Sequence, residues 1–81
     1  MIRDHRFANI GVSRHPRLGY GHYLVYGLVD GTYVSAMTTN SQIFDFWDDE
    51  ESPIKMKIAV GQIKHILART FYDQLQEGGE L

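Results

Sequence analysis

The chain has 81 residues, 43% of them hydrophobic and 22% charged, a formal net charge of −2 and no cysteine. That length suits one domain near the lower limit of what folds without staples, and the lack of thiols excludes disulfides and thiolate metal sites. No apolar run approaches the roughly 20 residues that cross a bilayer, and the opening MIRDHRF lacks the apolar core of a signal peptide. The expectation is therefore residues 1–81 as a single small α+β domain, cytoplasmic and free of membrane.

Charge is unevenly spread. Residues 1–22 carry Arg3, Arg6, Arg14 and Arg17 against Asp4, with three histidines besides. Residues 23–53 hold six acids and neither lysine nor arginine, and residues 54–81 are nearly balanced. A basic front beside an acidic middle offers mutual neutralisation in the fold.

Along the chain, RFANIGVS (6–13) reads as a first strand with Ala8, Ile10 and Val12 on one face. RHPRLGYG (14–21), with Pro16, Gly19 and Gly21, reads as a basic loop. HYLVYGLVDGTYVSAMTT then carries the strongest local signal. Asp30-Gly31 tolerates the positive φ angles of a type I′ turn between strands near 22–29 and 32–39. A two-residue loop pairs Val29 with Thr32, Leu28 with Tyr33 and Tyr26 with Ser35. One face of this hairpin carries Leu24, Tyr26, Leu28, Tyr33 and Met37, and the other carries Tyr23, Val25, Gly27, Val29, Thr32, Val34 and Ala36. Neither is polar, although a small antiparallel sheet normally has one wet face. Either both are covered or one awaits a partner.

The apolar spacing then changes to helical offsets in Ile43, Phe44, Phe46 and Trp47, after a cap at Asn40 or Ser41. Ser52-Pro53 opens a second helix that is expected to run to about residue 76 and end at Gly78-Gly79. Its core stripe is Met56, Ala59, Val60, Ile63, Ile66, Leu67, Thr70 and Phe71. The opposite side, with Ile54, Ile58, Gly61, His65, Ala68 and Tyr72, is less polar than a solvated face should be. Either the short helix packs there or a subunit does.

The run Asp48, Asp49, Glu50 and Glu51 is the stretch that most resembles chemistry. Acid–base catalysis needs two carboxylates in distinct environments, and calcium loops alternate ligands around a glycine; DDEESP has neither pattern. Carboxylates just before and within the first turn of the second helix have a structural account, since they meet its positive dipole end. The four histidines show no ligand spacing, and no cysteine supports them. GYGHYLVYG lacks the strand-then-helix context of a phosphate loop, because a strand follows its glycines.

The sequence thus predicts an α+β fold: a three-stranded antiparallel sheet with a central Asp-Gly hairpin, then a short helix and a long C-terminal helix packed on one face. In style it resembles small inhibitors and adaptors of bacteria, phages and mobile elements, with no residue-level correspondence. The expected function is non-enzymatic protein binding, with no cofactor and no metal. Tyr26, Tyr33 and Trp47 are the expected anchors, and Asp48, Asp49, Glu50 and Glu51 the steering charges. Homodimerisation is a related expectation. The alternative is nucleic-acid binding through Arg3, Arg6, Arg14, Arg17 and Tyr20, where phosphate contacts and a stacking ring would coincide, against the pull of an acidic middle.

Overall fold

The Asp30-Gly31 turn organises the sheet. Both residues have positive φ, 51° and 84°, the signature of a type I′ turn, whose twist matches that of the strands it joins. Strands β2 (Gly19–Val29) and β3 (Thr32–Thr38) leave it in the register read from the sequence, Val29 opposite Thr32 and Tyr26 opposite Ser35. β1 (Phe7–His15) pairs antiparallel with β2, giving the order β1-β2-β3. The computed structural model describes residues 5–47 and 49–79, the side chains of 77–79 excepted.

Asp30 also fastens β1. Its Oδ1 accepts the Arg6 N–H at 2.9 Å, its own N–H donates to the Arg6 carbonyl at 2.8 Å, and its Oδ2 lies 2.7 Å from His5 Nδ1. One aspartate thus closes the hairpin and anchors the strand that joins it.

β1 departs from the expected pattern at Asn9. The register passes from Ala8 opposite Leu28 to Gly11 opposite Tyr26, so β1 holds one extra residue. Asn9, at φ 52°, adopts the left-handed conformation that asparagine tolerates better than most residues. The bulge keeps Ile10 and Val12 on the helix side but turns Ala8 to the other face, which corrects the simple alternation. The expected basic loop is also shorter than read. β1 continues to His15, and β2 begins at Gly19, whose φ is 68°. His15 Nδ1 accepts the Arg17 and Leu18 N–H groups at 3.2 and 3.1 Å, which fixes this tight connection.

Helix α1 (Ser41–Trp47) starts at Asn40, whose Oδ1 accepts the Gln42 N–H at 3.1 Å. α2 (Pro53–Gly79) starts at Ser52, whose Oγ accepts the Lys55 N–H at 3.3 Å. Its first turn holds no acid, so the carboxylates precede the cap rather than enter the helix. α2 extends to Gly79, within the Gly78-Gly79 pair at which it was expected to end.

Both helices lie on one face of the sheet. Val12, Tyr23, Val25, Val29 and Val34 meet Ile43 from α1 and Ala59, Ile63 and Leu67 from α2 in a single core. Gly27 is part of that fit. A Cβ there would lie 2.6 Å from Ile10 Cγ2 and 3.1 Å from Leu67 Cδ1, so the missing side chain lets strand and helix close on each other. Tyr23 stacks on Phe44 at 5.0 Å between ring centroids, which ties α1 to the sheet.

Candidate interaction surface

The helices cover the Tyr23–Val25–Val29 face, so neither helix covers the second one. It presents Leu24, Tyr26 and Leu28 from β2, Tyr33, Ser35 and Met37 from β3, and Ala8, Gly11 and Ser13 from β1. None of these side chains is charged. Tyr33 is 61% exposed and Met37 51%. Tyr26 is half-buried for a local reason: its ring lies over Gly11, where an added Cβ would come 2.6 Å from Oη and 2.8 Å from Cζ. Glycine in the facing strand gives the ring a flat seat, so Tyr26 is held along the face instead of projecting from it.

The remaining expected anchors and charges lie elsewhere. Trp47 is on α1, partly buried against the core, and therefore across the sheet from Tyr26 and Tyr33. Asp49, Glu50 and Glu51 join Phe44 and Asp45 around an open basin at the α1–α2 junction, with Trp47, Pro53 and Met56 beside it. Asp49 has internal work there: Oδ1 accepts the Glu51 N–H at 3.0 Å, and Oδ2 lies 3.6 Å from Lys55 Nζ. Asp48 lies outside the described residues. The acids and the tyrosines are thus two separate surfaces.

The basic residues divide in the same way. Arg3 lies outside the described residues, and Arg6 is exposed beside the Asp30 turn. Arg14 sits over the Phe44 ring at 5.8 Å, a cation–π contact that brings the basic front against the acidic basin. Among the described residues, the side chains that meet a carboxylate in this way are His5, at Asp30, and Lys55, at Asp49, and no described arginine is paired with a described carboxylate. Arg17 is exposed in the β1–β2 connection, and Tyr20, three residues further along the chain, is 91% exposed.

A third surface runs along the back of α2. Ile54 is 73% exposed, and Ile58, Tyr72 and Leu75 are exposed with it. Nothing lies within 4 Å of a Cβ added at Gly61, so α1 does not cover this stripe. His65 is exposed as well, and no group of three or more His, Asp or Glu among the described residues is arranged to hold a metal ion. No helix among them is long and apolar enough to cross a membrane.

The uncovered face was legible as an alternative in the sequence, because both hairpin faces are apolar. What alternation missed was the seating of Tyr26 on Gly11, since that depends on the extra residue at Asn9. No protein-family model, no curated protein and no solved structure matches the chain.

Proposed function

We propose that the chain is a non-enzymatic protein-binding module, an inhibitor or adaptor, that uses the open face of its sheet as the contact surface. The observation that carries this reading is the charge-free patch of Leu24, Tyr26, Leu28, Tyr33 and Met37, which the chain's own helices leave uncovered. Contiguous exposed apolar surface is a recognition feature in soluble proteins, and tyrosine is enriched among residues that dominate interfaces. Tyr26, already held flat by Gly11, loses little freedom on binding, and that lowers the entropic cost of association. Trp47 is a weaker anchor than Tyr33, because part of its ring already serves the core. The carboxylates of Asp49, Glu50 and Glu51 are on another side and act by steering a basic partner, which affects the rate of encounter more than its strength.

The test is affinity capture with the wild type, with Tyr33→Ser, and with Asp49, Glu50 and Glu51 all changed to serine. Tyr33→Ser is expected to lose the captured protein, and the acid variant to keep it while binding more slowly at low salt. Undiminished capture by Tyr33→Ser from a folded sample would sink the reading.

A second reading, nucleic-acid binding, has one specific observation in its favour: the almost fully exposed Tyr20 ring, three residues after the exposed Arg17. A stacking platform next to a cation suits single strands. Affinity for mixed oligonucleotides that falls steeply between low and moderate salt would support it; no binding at low salt would end it.

A further inference from the structure

We propose that β3 is the dimerisation edge of this protein, pairing antiparallel with β3 of a second copy to make one six-stranded sheet. This inference is independent of the open-face reading, because it rests on the backbone of the edge strand.

The direction of the backbone groups follows from the turn. In a two-residue type I′ hairpin the residues flanking the loop form a hydrogen-bonded pair, here Val29 and Thr32. Such pairs alternate along an antiparallel ladder. Thr32, Val34, Ala36 and Thr38 therefore turn their N–H and C=O groups toward β2. Tyr33, Ser35 and Met37 turn theirs outward, away from the sheet. No other segment among the described residues takes these outward groups as partners. α2 packs against β3, and the contacts of α1 with the sheet fall mainly on β1 and β2.

An open edge is normally guarded by a charge, a proline or a bulge. β3, TYVSAMT, has none of these, and its register with β2 runs without a shift. The other edge contrasts with it. β1 is interrupted by the bulge at Asn9 and by a second shift between Arg14 and His15, and it carries both of those polar residues. One edge is blocked and the other is flat and neutral.

The flat edge is also self-complementary. A two-fold axis at Ser35 sets Ser35 opposite Ser35 of the second copy and Tyr33 opposite Met37 of the second copy, twice over. Each hydrogen-bonded pair exchanges two bonds, so the three pairs make about six. The residue that meets itself on the axis is small and can hydrogen-bond to its copy, and the flanking pairs bring sulfur to an aromatic ring. No like charges oppose each other anywhere along the strand. Pairing consumes both β3 edges and leaves only the interrupted β1 edges outside, so the assembly closes at two copies and does not propagate. These features favour a second copy over a foreign strand, for which the neutral edge offers no charge to select.

The test combines sedimentation equilibrium with residue-resolved amide hydrogen exchange on the wild type and on Ser35→Pro. Proline at 35 removes an outward N–H and no bond to β2, and proline is tolerated on sheet edges. Wild type at high micromolar concentration is expected at twice the 9.3 kDa chain mass, and folded Ser35→Pro at the single mass, with dissociation at least 100-fold easier. In the wild-type dimer the Tyr33, Ser35 and Met37 amides are expected to exchange slowly, and at least tenfold faster once dilution gives monomer. Val34 and Ala36 should stay slow in both. Tyr33→Ser keeps its outward backbone groups and loses only the ring-to-sulfur pairs. It should still dimerise, more weakly than wild type but far more tightly than Ser35→Pro, even where it loses a captured partner, so the two readings fail separately. A wild type that stays monomeric overturns the proposal. So does a dimer in which Tyr33, Ser35 and Met37 exchange freely, or protection of those amides that needs a different protein. Should Ser35→Pro not fold, the odd–even exchange pattern in the wild type decides alone.

Discussion

The two faces of the sheet are almost equally apolar, yet one is a core and the other is surface. Val25, Val29 and Val34 are at most 1% exposed on the helix side, whereas Tyr33 and Met37 remain more than half exposed on the other. The difference lies in shape. Under the helices the sheet presents the short, β-branched Val25, Val29 and Val34 with Gly27 beside them, which lets α2 approach to contact distance. The hairpin's open face carries the longer Leu24, Tyr26, Leu28, Tyr33 and Met37, with Tyr26 lying on Gly11 of the same sheet. Hydrophobicity decides that a face can be buried. Side-chain length and glycine placement decide which face takes the helices.

That contrast can be broken by substitution, and the largest effect should come from the helix side. Leu67→Ala empties fully buried space in the core cluster that also holds Val25, Val29 and Ile63, and is expected to cost about 2–5 kcal/mol in denaturant unfolding. This is a large part of the roughly 5–15 kcal/mol typical of a whole domain. The glycines sharpen the comparison. Gly27→Ala drives a Cβ into Ile10 and Leu67, and should cost about 1–3 kcal/mol. Gly11→Ala meets the Tyr26 ring first, at the far end of a side chain that can swing toward solvent, so its cost should be the smaller of the two. A greater loss at Gly11 than at Gly27 would mean that the open face is under more constraint than the core. On the back of α2, Gly61→Ala meets open space and is expected to raise stability by roughly 0.5–1 kcal/mol, measured by the unfolding midpoint. Smallest of all, Tyr33→Ser should shift monomer stability by no more than about 0.5 kcal/mol, although it is the substitution expected to abolish partner capture.

Much of the architecture was legible because each signal was local. Asp30-Gly31 specifies its turn through φ, Ser52-Pro53 specifies a helix start through a cap and a missing N–H, and the stripe from Met56 to Phe71 specifies the buried side of α2. The less legible features depend on contacts between segments. Asn9 is an ordinary strand residue until its register against β2 is known. The short β1–β2 connection depends on His15 accepting two backbone N–H groups, which a list of turn residues does not reveal. The division of the expected binding residues into tyrosine and acid surfaces follows from the sheet standing between them, and no spacing in the sequence encodes that. The open edge of β3 did leave a trace: no charged residue occurs between Asp30 and Asp45.

Trp47 has a practical consequence. It is the single tryptophan of the chain, and it is seated in the helical layer beside the acidic basin, with the sheet between it and the open face. Its fluorescence is therefore an intrinsic optical gauge of whether α1 is docked. Undocking of α1 will change the emission, while a ligand confined to the tyrosine face will leave it unaltered. A single cuvette measurement on unlabelled protein can thus tell loss of the helical layer from occupation of the opposite surface.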